Sequence, residues 1–102
     1  MNVNTGNSFD PRQEPGKIAG HVSTSYGDPV VDAVVMITGD SPPHSDIAAL
    51  TNDDGRYSFI DLQPGQYTLM VNAEDWPSRT DIILVEPGAV SRLDFILTTR
   101  AI

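Results

Sequence analysis

Residues 51–71, TNDDGRYSFIDLQPGQYTLMV, alternate apolar and polar side chains through Tyr57 and Phe59 and again through Tyr67, Leu69 and Val71. A period of two places the apolar set on one face of an extended strand and leaves no stripe for a helix. Two turn signals divide the stretch. Asp54-Gly55 offers the backbone of a tight hairpin, since glycine takes positive φ without a Cβ clash and aspartate tolerates the left-handed region. Pro64-Gly65 predicts a type II turn, with proline presetting φ at the second position and glycine accepting positive φ at the third. The chain is expected to reverse after Leu62 and re-enter a strand at Tyr67.

The same pattern runs through the rest of the chain. Residues 17–24 read as a first strand with Ile18, Gly20 and Val22 inward and Lys17, Ala19, His21 and Ser23 outward. Gly27-Asp28-Pro29 marks a turn, and residues 33–38 are so continuously apolar that they predict a central strand buried on much of both faces. GDSPPHS at 39–45 is a loop by composition, followed at 46–52 by an edge-like strand with Ile47 and Leu50. Beyond the opening stretch come a loop at 74–78 around Trp76-Pro77, a strand at 80–86, a Pro87-Gly88 turn, and a strand at 90–97 in which Leu93, Phe95 and Leu97 alternate.

Seven short strands and no helical window predict an all-β fold, a seven-stranded antiparallel β-sandwich of Ig-like, Greek-key kind. With consecutive strands antiparallel, the connections alternate between the two ends. One end collects 26–32, 52–55, 74–78 and the C-terminus; the other collects 39–45, 61–65, 86–88 and the N-terminal segment. Residues 1–15 carry Asn, Gly, Ser and two prolines without periodicity, so they are expected to form a polar arm ahead of a sandwich domain at 16–102.

A chain of 102 residues suits one domain, burying roughly two-thirds of its unfolded surface. Fourteen acidic against six basic residues give a net charge of -8, which opposes phosphate backbones and anionic membrane surfaces. Nucleic acid is therefore not an expected partner. The absence of cysteine excludes a disulfide framework and thiolate chemistry. MNVNTGNSFD has neither a basic n-region nor an apolar h-region, and no apolar run has the length of a membrane span. These features predict no signal peptide in this chain, no membrane insertion, and a location in the cytoplasm or within a larger exported particle.

The segments GKIAGHVSTSYGDPVVDAVVMI, DDGRYSF and LQPGQYTLMV together resemble the carboxypeptidase regulatory-like domain, a transthyretin-like (prealbumin-like) β-sandwich, over about residues 16–97. The resemblance implies that fold and, for function, a non-catalytic accessory or interaction module attached to a larger machine. The sibling 5-hydroxyisourate hydrolases share the GHVSTSYGDPVVDAVV and TNDDGR patterns in part, which would make His21 and Arg56 site residues. Their C-terminal Tyr-Arg-Gly-Ser and second histidine have no counterpart in LTTRAI, and no histidine follows His44. The collagen-adhesin B-type domains are similar too, but where some of them place a crosslinking lysine and its helper glutamate this chain has Ala19 and Val71. Lys17 is its single lysine, so no internal isopeptide crosslink is expected.

Candidate chemistry gathers at one end of the predicted sandwich, where Asp28, Asp53, Asp54, Glu74 and Asp75 fall beside Trp76. Oxygen ligands from several loops are what calcium takes, but NDDG lacks the spaced D-x-D-x-D-G loop with a distal Glu. No cofactor, metal site or catalytic set is expected. His21 and His44 lack the further ligands of a zinc site, and no G-x-S-x-G is present. The functional expectation is a structural or interaction module that docks onto a larger protein or assembly, or that self-assembles, as an adaptor or decoration subunit. Phe9, Asp10 and Arg12 of the arm are its candidate partner contacts. The alternative is a carbohydrate- or small-ligand-binding module using Trp76 as a stacking surface with Asp75 and Asp54. A 5-hydroxyisourate hydrolase-like enzyme is the third reading.

Overall fold

The computed structural model describes residues 14–42 and 48–98. Among them there is no helix, and eight strands follow in order: β1 (Gly16–Thr24), β2 (Val34–Thr38), β3 (Ala48–Leu50), β4 (Arg56–Leu62), β5 (Gly65–Ala73), β6 (Trp76–Val85), β7 (Val90–Arg92) and β8 (Phe95–Leu97). They form two four-stranded sheets. Sheet one has the order β4-β1-β7 with β8 also paired to β1, and sheet two has the order β3-β2-β5-β6. The predicted β-sandwich is present, with its seventh strand divided in two.

Period-two patterning sets which side chains meet between the sheets. Ile18 and Val22 of β1, Tyr57, Phe59 and Leu62 of β4, and Phe95 and Leu97 of β8 are buried from one side. Val35, Tyr67, Leu69, Val71, Ile83 and Val85 are buried from the other. Tyr57 meets Phe59 edge-on at 6.2 Å and Phe95 at 6.3 Å between ring centroids, which ties β4 to β8 across β1. Thr51 is the buried polar residue of the described core, and its hydrogen bonds are complete. The Ala33 amide donates to Oγ1 at 2.9 Å, and the hydroxyl donates to the Val30 carbonyl at 2.6 Å.

Several local expectations need correction. Asp54-Gly55 and Pro64-Gly65 do not close hairpins, because β3 and β5 lie in sheet two while β4 lies in sheet one. Both are arches that carry the chain from sheet to sheet. Gly55 has φ 76 and sits against the Val22 carbonyl, with Asn52 Oδ1 accepting from the Asp54 and Arg56 amides. Gly65 has φ 148, far from the value of about 80° that a type II turn asks of its third position. Strand β4 also runs on through Asp61, whose φ of 57 marks the bulge where the β1–β4 register shifts.

The expected loop at 74–78 is instead a two-residue hairpin, Glu74-Asp75, and Trp76 and Pro77 already belong to β6. Proline is tolerated there because β6 is an edge strand whose register shifts beside it. Residues 34–38 are central as expected, yet Val34 and Met36 are half-buried on the outer side, not enclosed. Leu50 points outward and is 63% exposed. Ile47, His44 and the arm residues Phe9, Asp10 and Arg12 lie outside the described residues.

The break between β7 and β8 has a chemical cause. Both halves pair with β1 in parallel, not antiparallel, and in one register, Ala19 with Arg92 and Val22 with Phe95. No residue is inserted between them. At the break, the Leu93 carbonyl turns inward to accept the Tyr57 hydroxyl at 2.5 Å, and Asp94 Oδ1 accepts the His21 amide at 2.9 Å in place of a backbone carbonyl. Gly20 makes room, since a methyl group there would lie 1.8 Å from the Leu93 carbonyl oxygen.

Candidate functional site

Both outer faces expose large apolar side chains, Ile60, Val90 and Ile96 on sheet one and Leu50, Ile82 and Leu84 on sheet two, and they differ in charge. Strand alternation sends Lys17, Ala19 and His21 of β1 outward, with Arg56 and Ser58 of β4 on one flank and Arg92 of β7 on the other. Register places Arg56 opposite His21, and both Ser58 and Arg92 opposite Ala19. Ala19, His21, Arg56, Ser58 and Arg92 line a groove of about 520 Å³ that also reaches Leu50 and Asn52 beside the edge of β4. Arg92 Nη2 lies 3.5 Å from Asp94 Oδ1, and both side chains are more than half exposed.

Beneath the groove, the Tyr57 phenol is held protonated far above its ordinary range. Burial is the main cause; Asp94 and Asp81 push in the same direction and Arg92 opposes them. Tyr67 is raised as well, by burial, and its hydroxyl donates to the Gln63 carbonyl at 2.7 Å. Both phenols therefore serve as neutral donors inside the sandwich.

Sheet two presents Val34 and Met36, Ala48 and Leu50, Gln66, Thr68, Met70 and Asn72, and Thr80, Ile82 and Leu84 on its outer side. None of these is charged, in a chain with 20% charged residues. Ile82 and Leu84 are 56% and 57% exposed. The side of the sandwich next to β6 is closed by two bonds to sheet one or from it. Arg79 Nη1 donates to the Ile96 carbonyl at 3.2 Å, and Ser91 Oγ donates to the Leu84 carbonyl at 2.8 Å.

The residues singled out from the sequence are placed as follows. Trp76 is half-buried and packs against the core, and Asp75 occupies the adjoining turn with φ 72. Asp54 lines a second, shallower cavity with His21, Ser23, Gly27, Pro29 and Arg56, in which neither Trp76 nor Asp75 takes part. Asp28, Asp53, Asp54, Glu74 and Asp75 do not converge, as no group of three or more His, Cys, Asp or Glu side chains among the described residues could hold a metal ion. His21 and Arg56 do stand side by side. The second, C-terminal histidine that a hydrolase site would need has no counterpart here, since no histidine follows His44 in the sequence.

Sequence reasoning missed Arg92 and Ser58, because nothing local shows that β7 and β4 both flank β1. It also missed the apolar outer face, although the unbroken Ile82-Ile83-Leu84-Val85 run was the available signal: on an edge strand, such a run must leave half its side chains outward.

Comparison with solved structures gives many matches of this fold at low identity. The minor pilin GBS52 of Streptococcus agalactiae matches with a TM-score of 0.72 at 11% identity, over 88% of this chain and 47% of that one. A type II cohesin–X-dockerin complex from Acetivibrio cellulolyticus matches at 0.59 and 17%, over 80% and 56%. Chlorocatechol 1,2-dioxygenase from Pseudomonas putida matches at 0.65 and 14%, over 85% and 61%. The chain spans less than two-thirds of the length of each of these neighbours, and at such identities the likeness is one of fold. No curated protein matches the sequence. The family description of the carboxypeptidase regulatory-like domain matches residues 17–98, the sandwich from Lys17 of β1 through the end of β8, and the chain belongs to that family.

Proposed function

We propose that the chain is a non-catalytic interaction module that docks onto a larger protein through the outer face of sheet two. The observation that carries this reading is the charge-free surface on which Leu50, Ile82 and Leu84 are each more than half exposed. A chain of net charge -8 repels most acidic surfaces, and a face without ionised groups is where a partner meets it with the least desolvation cost. The partner is accordingly a protein presenting an uncharged, apolar patch. Fold neighbours that include a minor pilin and a cohesin–X-dockerin complex support an assembly role.

The test is the size at which the tagged protein migrates when released gently from the cells that make it. The proposal expects a complex larger than the free chain, lost when Ile82 and Leu84 are both replaced by lysine. Migration as a free chain, or a complex indifferent to both lysines, would remove the face from the account. A complex containing only copies of this chain would replace the larger protein with self-assembly.

A further inference from the structure

We infer a second binding site: the groove on the outer side of sheet one, which meets the docking face at Leu50, takes a small dicarboxylate. Three of the six Lys and Arg residues, Lys17, Arg56 and Arg92, stand on this side of the molecule, two of them in the groove, although acidic residues outnumber basic ones by fourteen to six. Positive charge is thus concentrated where the chain as a whole is negative. A guanidinium presents a planar fork that fits a carboxylate in a bidentate manner, and it stays charged at any physiological pH.

The spacing selects the ligand. Arg56 and Arg92 stand on strands to either side of β1 and are offset by two residues along it, so their backbones are about 12 Å apart at ordinary strand geometry. Asp94 at 3.5 Å holds Arg92 to its own side of β1, whereas no ion pair is formed by Arg56 among the described residues. Two separated anchors suit an anion with a carboxylate at each end. Between them lies Ala19, whose methyl group offers an apolar floor, with the Ser58 hydroxyl and the His21 imidazole at the margin. A volume of about 520 Å³ is within the range of small-molecule sites. Asp94 stands at the Arg92 end and disfavours ligands that bring charge to that end alone, and Asp54 lines the adjoining cavity with His21 and Arg56.

The experiment titrates the intact chain with succinate and glutarate, followed by amide chemical shifts, with acetate and inorganic phosphate as controls. The inference expects saturable shifts centred on Ala19, His21, Arg56 and Arg92, with succinate or glutarate binding at least about tenfold more tightly than acetate. Arg56→Ala and Arg92→Ala should each weaken binding by about tenfold. Lys17→Ala removes the same charge from the same face, but outside the groove, and should change it less than about twofold. Unsaturable shifts, equal binding of acetate, or an equal loss in Lys17→Ala would overturn the site, the last by reducing it to general electrostatics. A preference for phosphate would overturn the dicarboxylate. Both arginines are exposed, so unchanged spectra of the unliganded variants verify that the fold is intact. None of these outcomes depends on the docking face.

Discussion

The two outer faces of this sandwich are built from the same alternation and differ in charge. Sheet one displays Lys17, His21, Arg56 and Arg92 among the exposed Ile60, Val90 and Ile96, while the outer face of sheet two displays methionine, valine, leucine and isoleucine with uncharged polar residues and no ionised group. The difference also reaches into the backbone. Sheet two pairs β5 with β6 along nearly their whole length, whereas sheet one breaks its β7–β8 edge at Leu93-Asp94 and mends the gap with two side chains. A continuous ladder with an uncharged face suits contact with another protein, because burying it costs no desolvated charge. A broken ladder with a cationic groove suits a small anion.

The sharpest way to break this comparison is at Gly20. A methyl group there meets the Leu93 carbonyl oxygen at 1.8 Å and Tyr57 Cε1 at 2.8 Å. Gly20→Ala should cost about 3 kcal/mol, as overpacking against backbone does, and should disturb the groove while sparing sheet two. Urea unfolding with residue-resolved hydrogen exchange checks both halves; a loss below about 1 kcal/mol would mean the β7–β8 junction yields easily.

Thr51→Val probes the side of the sandwich shared by both sheets. It leaves the Val30 carbonyl and the Ala33 amide without the Thr51 hydroxyl, so a loss of about 2 kcal/mol is expected in the same unfolding experiment. Tyr57→Phe acts only on sheet one and should cost about 1 kcal/mol through the Leu93 carbonyl. It also has a pH signature. The folded protein keeps the Tyr57 proton well beyond the point, about pH 10, at which the unfolded chain releases it, so stability is complete below that pH and falls above it. Urea midpoints between about pH 8 and 11 should therefore decline less steeply in Tyr57→Phe, with Tyr67 retaining part of the slope. The smallest stability effect belongs to Ile82→Lys, expected within about 0.5 kcal/mol of the parent because the side chain is already more than half exposed. Its consequence is for association instead.

Much of the fold was legible because burial follows parity. Ile18, Val22, Tyr57, Phe59, Tyr67, Leu69 and Val71 all point where their alternation sends them. Sheet membership was not, since Asp-Gly and Pro-Gly suit an arch between sheets as well as a hairpin within one, and only long-range pairing distinguishes the two. The break at Leu93-Asp94 was hidden for a related reason: its cause, Tyr57, lies 36 residues earlier in the chain. The loop-end cluster around Trp76, Asp75 and Asp54 was readable as an end of the sandwich, and a lone large aromatic is expected against the core, where Trp76 packs, but sequence could not show that Asp54 lines a separate cavity. The groove escaped because His21, Arg56 and Arg92 are ordinary strand residues until β4 and β7 are seen to flank β1.

The most direct test of the division between faces is site-specific photocrosslinking in the cells that make the protein, with the reactive residue placed either at Ile82 on sheet two or at Ser58 on sheet one. The account predicts a discrete protein adduct from Ile82, abolished by Leu84→Lys, and none from Ser58. Adducts of equal yield from both positions, or from Ser58 alone, would contradict it.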